Sequence, residues 1–211
     1  MERIVVSPTA PEAETITRAA QAILRGEIVG MPTDTLYGLA ADPFNHEAVS
    51  RVFAIKGRPE SNPLPLVADD HAQVHEWIGD LTPLGYLLAQ NFWPGPLTLI
   101  VRGPLTLDHR VTSDSHTVGV RVPDHEITRA LCRAAGRPLT ATSANPTGTP
   151  ATGDPDIVAR LMGKALSMLL DGGPCRGGAP STMVDVTGPT PHLIREGAIS
   201  WERIQACVRH E

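Results

Sequence analysis

With 211 residues, of which 41% are hydrophobic and 19% charged, the chain can bury a sizeable core and falls outside the range of disordered proteins. A net charge of −5 argues against a dedicated nucleic-acid binder, so any RNA contact would be weak or confined to a local patch. No apolar run is long enough for a membrane span, the first residues lack a signal-peptide pattern, and Cys132, Cys175 and Cys207 show no metal-ligand spacing, so a reduced, cytoplasmic protein is expected.

In chain order, residues 11–25 form the first amphipathic pattern. Ile16, Ala19, Ala20, Ile23 and Leu24 line one face, Pro11 and two glutamates sit at its start, and Gly26 follows its end. A short buried strand over 28–31 runs into the hydroxyl-rich turn Pro32-Thr33-Asp34-Thr35-Leu36-Tyr37-Gly38, which holds one carboxylate. A helix over about 45–56 and a strand over 64–68 come next. Two more helical patterns centre on Val74, Trp77 and Ile78 and on Leu84, Leu87 and Leu88, the second stopped by Trp93-Pro94-Gly95-Pro96. Residues 97–101 are a continuous apolar strand, succeeded by an irregular stretch over 102–116. In 117–122, Val118, Val120 and Val122 face one way, while Thr117, Gly119 and Arg121 face the other.

Pro123 and Asp124 open a helix with Ile127, Ala130, Leu131 and Ala134 inward and Gly136 as its stop. A strand over 139–142 empties into Ser143-Ala144-Asn145-Pro146-Thr147-Gly148. Asp154 and Pro155 cap a helix to Met162, residues 166–170 are a strand, and a glycine-rich loop over 172–180 precedes a strand over 182–186. The last strand covers 192–195, and Ser200 caps a closing helix with Trp201, Ile204 and Val208 inward. Two adjacent strand pairs, 97–101 with 117–122 and 182–186 with 192–195, interrupt the alternation of strand and helix. The pattern predicts an α/β fold, one mixed sheet carrying helices in a single domain over 1–211.

The most distinctive stretch is Lys56-Gly57-Arg58-Pro59-Glu60-Ser61-Asn62-Pro63. Val49, Val52 and Phe53 sit at i, i+3 and i+4, and Lys56 closes the same stripe at i+7. Its stem should be partly buried and its ammonium should project past the last turn. Gly57 lets the chain leave the helix, and Pro59 and Pro63 stiffen the loop beyond it. The expected hook aims Lys56, Arg58 and Asn62 into one space, suited to a phosphate, a carboxylate or a carbonate. A plain helix end, whose dipole favours cations, accounts for the same charges.

Other polar residues come after strands or lie on them: Thr33 and Thr35, Thr117 and Arg121, Ser143 and Asn145, Ser181 and Arg195. Ligand crevices in α/β sheets lie outside strand ends, so these groups are expected to converge. Taken singly, each also fits a turn, a cap or a cross-strand pair. The pool is rich in donors and poor in general bases, which suits phosphoryl or nucleotidyl transfer. The chain has no Walker-type loop, no dinucleotide glycine fingerprint and no nucleophile elbow. His71 and His75 share a helical spacing without the glutamate and third ligand of a zinc site, so no metal site is expected.

Pro32-Thr33-Asp34-Thr35-Leu36-Tyr37-Gly38-Leu39, then Lys56-Gly57-Arg58-Pro59 through Asn62-Pro63-Leu64, then Trp93-Pro94-Gly95-Pro96-Leu97-Thr98 together resemble the YrdC-like family. So do Val120-Arg121-Val122-Pro123, Thr142-Ser143-Ala144-Asn145 with Gly148, Ser181-Thr182 before Val184-Asp185, and Ile194-Arg195-Glu196-Gly197. These landmarks run in family order from about residue 14 to 199, and the Lys-x-Arg with Ser-x-Asn pair separates the synthases from a diverged paralogous branch. The resemblance implies an L-threonylcarbamoyladenylate synthase of the short form, without the C-terminal domain of longer members. Such enzymes condense L-threonine, bicarbonate and ATP into threonylcarbamoyl-AMP and pyrophosphate, and the product serves N6-threonylcarbamoyladenosine formation in tRNA. The implied fold is a twisted, mostly open α/β sheet with a large concave cavity.

The resemblance also assigns residues. Thr35, Arg121 and Ser181 would hold L-threonine. Lys56, Arg58, Asn62, Thr117, Ser143, Asn145 and Arg195 would hold ATP and the carboxylated intermediate, with Lys56 and Arg58 as the catalytic pair. A fixed arginine suits the threonine carboxylate, which it can take through two parallel bonds. Mg²⁺ would accompany the ATP, held by phosphates and water rather than by a protein cage. Handover to a tRNA threonylcarbamoyltransferase complex is implied downstream. Val67 departs from the family, many of whose members have a histidine there, and His71 is close enough in sequence to be considered as its substitute. Two rivals stand beside this reading: a non-catalytic nucleotide- or RNA-binding module of the same fold, and the carbamoyl-transfer domain of hydrogenase-maturation proteins, which sits in much longer chains.

Overall fold

The computed structural model describes residues 1–112 and 116–209; part of the irregular stretch expected over 102–116 therefore lies outside the described residues. The chain opens with a strand that the sequence pattern leaves unassigned, β1 (Glu2–Val5), then α1 (Ala13–Leu24) and β2 (Val29–Met31). The turn over residues 32–37 leads into a second unassigned strand, β3 (Gly38–Ala40). Next comes α2 (His46–Lys56), started by Asn45, whose Oδ1 accepts the N–H groups of Glu47 and Ala48. It stops at Gly57, where φ of 58° puts the backbone in the left-handed region that glycine enters without steric cost.

Strand β4 (Leu66–Val67) precedes α3 (His71–Trp77), capped by Asp70, and α4 (Pro83–Phe92), capped by Thr82 with proline in its first turn. Strands β5 (Leu97–Arg102) and β6 (Thr117–Arg121) come before α5 (Glu126–Ala135). The run expected as one strand over 139–142 is two, β7 (Leu139–Thr140) and β8 (Thr142–Ser143). The chain closes with α6 (Pro155–Met162), β9 (Met168–Asp171), β10 (Thr182–Asp185), β11 (His192–Arg195) and α7 (Trp201–Arg209). Among the described residues no helix is long and apolar enough to cross a membrane.

The fold is α/β and its sheets are mixed, as expected, but the strands divide between two sheets rather than one. The first has the order β1-β9-β2-β3-β8 and the second β11-β10-β5-β6-β4-β7. The reason lies at Ala141. Before it, β7 pairs antiparallel with β4 (Leu66 with Thr140, Val67 with Leu139). After it, β8 pairs antiparallel with β3 (Gly38 with Ser143, Leu39 with Thr142). Thr140 rivets the crossing, because its hydroxyl donates to the Leu39 carbonyl (3.0 Å) and accepts the Ala41 N–H (2.9 Å). The two strand pairs foreseen from adjacency are present, β5 with β6 and β10 with β11, both antiparallel.

Two apolar cores result. Val118, Val120, Val122, Leu97, Leu99 and Leu66 on one face of the second sheet join Val49, Val52 and Phe53 of α2 and Ile204 of α7. The other core packs α1 on α5, with Val29, Met31 and Val67 beneath. Two side chains expected inward are not. Leu24 is exposed, and Ala22 on the other flank of the α1 stripe is buried instead. Ala134 is exposed as well, since α5 turns Thr128, Cys132 and Ala135 inward beside Ile127 and Leu131, and the Cys132 thiol reaches the Val67 carbonyl at 3.4 Å.

The end of the second sheet depends on one hydroxyl. Thr182 is fully buried; its Oγ1 donates to the Ile199 carbonyl (2.6 Å) and accepts the N–H groups of Gly197 and Ile199 (both 3.0 Å). Thr182→Val keeps the volume and strands three backbone groups. We expect it to cost about 2–4 kcal/mol, read as a lower midpoint in denaturant unfolding with an unchanged slope.

Candidate active site

Lys56 ends α2 with its side chain along the apolar stripe and is only 4% exposed. Its ammonium donates to the carbonyls of Ser143 (2.5 Å) and Asn145 (2.8 Å). The Ser143 hydroxyl and the Asn145 side-chain oxygen lie at 3.5 and 3.4 Å, too far for strong bonds. Two of its three N–H groups are thus well satisfied, and the third can be exchanged for a ligand oxygen. Burial, with Arg58 beside it, lowers the ammonium from 10.5 to about 8. Asn145 is itself locked, its amide donating to the carbonyls of Pro146 and Thr149.

The hook after α2 is held by its own arginine. Arg58 donates from Nε to the Asn62 carbonyl (2.7 Å), from Nη2 to the Pro63 carbonyl (2.9 Å) and, more weakly, from Nη1 to the Thr142 hydroxyl (3.4 Å). These acceptors are neutral, and burial lowers the guanidinium below its ordinary range. Asn62 contributes a carbonyl to this ring, while its residue as a whole is exposed.

The turn over residues 32–38 meets the 143–145 segment through β3 and β8 and through the Ala144 N–H, which donates to the Tyr37 carbonyl (2.9 Å). Within the turn, the hydroxyls of Thr33 and Thr35 are 3.0 Å apart, and Thr33 donates to the Leu36 carbonyl (2.7 Å), which fixes the loop. Asp34 then spans the two sheets: its Oδ1 accepts from Arg121 Nη1 at 2.8 Å, with both side chains buried. Burial lowers the Arg121 guanidinium, and Asp34 works against that shift. Asp34 is visible in the sequence as the lone carboxylate of the turn, but nothing there gives it a role.

Arg121 and Thr117 lie on the face of β6 away from the valines, as the alternation predicts, and Gly119 between them clears that face. A Cβ there would come within 3.1 Å of the Thr98 methyl and 3.2 Å of Ile100. The antiparallel pairing of β5 with β6 brings Thr98 near Arg121, and the Thr98 hydroxyl is 2.9 Å from that of Ser181. Arg195, at the end of β11, donates to the Ser181 carbonyl (2.9 Å) and feels the charge of Arg121. Nine of the ten residues assigned by the resemblance are therefore linked along the two sheets, whereas Thr117 lies at the other end of β6, in register with Arg102. Thr98 and Thr142 join them unforeseen. Val67 pairs in register with Arg121 on the neighbouring strand. His71 does not stand in for a histidine there, because its ring rests on Trp93 (5.3 Å), which packs in the core on the opposite side of the sheet.

Cations fixed by neutral acceptors, with hydroxyls and amides between them, form a donor surface for anions. Among the described residues no group of three His, Cys, Asp or Glu side chains could hold a metal ion.

Residues 21–197 match the family model named for Sua5, YciO and YrdC and described as "Telomere recombination". The threonylcarbamoyl-AMP synthase of Bacillus subtilis (strain 168) is 38% identical over 194 residues, 92% of this chain and 56% of that protein. A putative threonylcarbamoyl-AMP synthase of Mycobacterium tuberculosis (strain ATCC 25618 / H37Rv) is 35% identical over 189 residues, 90% of this chain and 87% of that protein. The crystal structure of P. abyssi Sua5 complexed with L-threonine matches with a TM-score of 0.93 at 35% identity, covering 99% of this chain and 61% of that one. The chain thus spans little more than half the length of the B. subtilis protein, at 56%.

The lowered Lys56 gives a pH signature. The cation is present below about 8 and lost above it, so affinity for a phosphate-bearing ligand such as ATP should hold near neutrality and fall as pH rises. Isothermal titration calorimetry should show a decline approaching about tenfold per pH unit on the alkaline side. Lys56→Met should bind more weakly at neutral pH and show no such decline.

Proposed function

This chain belongs to the Sua5–YciO–YrdC family, and from that premise we propose that it is an L-threonylcarbamoyladenylate synthase. It condenses L-threonine, bicarbonate and ATP to threonylcarbamoyl-AMP and pyrophosphate, for transfer of the threonylcarbamoyl group to tRNA by a partner transferase complex. The observation that carries this reading is the Lys56 ammonium seated on the Ser143 and Asn145 carbonyls beside Arg58. Neither cation has a carboxylate within ion-pair distance among the described residues. Cations without internal counter-charge are suited to anionic substrates and to charge that develops during reaction. The names of the relatives and the L-threonine in the P. abyssi structure support the same assignment.

The residues divide the work by chemistry. Arg121 takes the threonine carboxylate through its planar fork, and the hydroxyls of Thr35 and Ser181 flank it. The deprotonated amine attacks the carbon of bicarbonate: a C–N bond forms, one C–O bond breaks, and water leaves with the protons. A carbamate oxygen then attacks the α-phosphorus of ATP, and the bond from that phosphorus to the bridging oxygen of the β-phosphate breaks, releasing pyrophosphate. Lys56 and Arg58 offset charge on the carbamate and the α-phosphate. Asn62, Thr117, Ser143, Asn145 and Arg195 orient the nucleotide. Mg²⁺ would accompany the ATP, held by phosphate oxygens and water rather than by a protein cage, and would offset charge on the phosphates.

A substrate-omission assay tests this. Pyrophosphate release should require L-threonine and bicarbonate together with ATP, and omission of either should bring it to background. Equal release from ATP alone would mark a simple ATPase and end the synthase reading.

A further inference from the structure

The Asp34–Arg121 contact is built unlike most other arginine–aspartate pairs among the described residues. Arg110 grips Asp108 through its Nε and Nη2 edge, at 2.9 and 2.8 Å on separate oxygens. Arg133 grips Asp69 through the same edge, at 2.8 and 2.8 Å. Arg3 uses Nε and Nη2 on one oxygen of Asp171, at 2.9 and 2.7 Å. Arg121 offers Asp34 only its Nη1. Arg137 also binds end-on, to Asp42 at 3.0 Å, but its guanidinium lies over Trp77, and the second oxygen of Asp42 takes the Phe44 N–H. In Asp34 the second oxygen, Oδ2, is buried and has no partner among the described residues.

That arrangement is a poor one for stability. Asp34 and Arg121 side chains are 5% and 8% exposed, so both ions are desolvated, and a buried carboxylate oxygen left unbonded carries a further cost. The cost has a counterpart. The edge that the structural pairs commit to their own carboxylates, Nε with Nη2, has no acceptor on Arg121 among the described residues. This edge carries two parallel N–H groups, the geometry that matches a carboxylate.

We propose that Asp34 is a positioning residue for the amino-acid carboxylate: it holds Arg121 end-on by Nη1 and so keeps the Nε–Nη2 edge turned to the substrate. The assignment rests on the synthase reading, which places L-threonine at Arg121. Asp34 acts through Arg121 and does not touch the reacting atoms.

Titration calorimetry on the full chain separates this role from mere structural support. The variants are Asp34→Asn, Arg121→Lys and both together; the ligands are L-threonine, L-threoninol, which lacks the carboxylate, and ATP. Asp34→Asn should weaken L-threonine by about tenfold and leave L-threoninol and ATP within about twofold, because only the carboxylate meets the Arg121 fork. In the Arg121→Lys background, where the fork is already gone, Asp34→Asn should add no further loss. Should Asp34→Asn fail to fold, Asp34→Glu keeps the charge, displaces the carboxylate by one methylene and should show the same selective loss. Unchanged L-threonine affinity, equal weakening of all three ligands, or additive losses in the double variant would each overturn the positioning role. A wild-type chain that binds ATP but gives no heat with L-threonine overturns the synthase reading itself.

Discussion

The constraint on which this structure depends is the passage of one extended segment through two sheets. Leu139 and Thr140 belong to the sheet of β4 and β6, and Thr142 and Ser143 belong to the sheet of β3. A strand satisfies its backbone on two sides, so a segment that changes partners at Ala141 holds the sheets at a fixed mutual position. The Ala141 N–H donates to the Pro65 carbonyl (2.9 Å) in the middle of that change. Ser143 and Asn145 leave the crossing with their carbonyls on Lys56, and Arg58 reaches back to Thr142. The cationic hook and the sheet crossing are therefore one rigid unit, and neither can shift without breaking the bonds of the other.

A second logic governs the charges. Arginines away from the candidate site, such as Arg3, Arg110 and Arg133, are paired with carboxylates, and those partners raise their basicity. Lys56, Arg58 and Arg195 are instead held by carbonyl and hydroxyl oxygens, and burial lowers each of them. A neutral oxygen fixes the direction of a cation without cancelling its charge. The site keeps its positive potential for this reason, at the expense of marginal protonation at Lys56.

Much of this was legible from residue patterns. The Val49, Val52, Phe53, Lys56 stripe identifies a buried lysine because helical periodicity depends only on local geometry, and the alternation over 117–122 separates core valines from Thr117 and Arg121 for the same reason. Local signals cannot report partners. Residues 139–142 look like one strand because the break at Ala141 is a change of neighbour and leaves no mark in the sequence. β1 and β3 are short, and the alternation test needs more residues than they have. The inward face of α5 is set by its contact with α1, so a pattern that admits Ala134 is rotated in the fold toward Cys132 and Ala135. Asp34 escaped because its partner is far along the chain, and an aspartate between two threonines is ordinary turn chemistry. The ten proposed site residues were found through family motifs, whereas the distances that link them come only from the fold.

The neutral oxygens that hold Lys56, Arg58 and Arg195 have a consequence beyond fixing their direction. The chain as a whole carries a charge of −5, so at a distance it repels anions, yet Lys56, Arg58 and Arg195 keep their charges uncancelled at the site. Their attraction fades within a Debye length, about 8 Å at physiological ionic strength. A small anion that comes within that range is attracted, while a long polyanion spread over the outside meets repulsion along most of its length. The fold therefore sorts negatively charged molecules by size before any specific contact is made, and added salt should blunt that sorting from both sides at once.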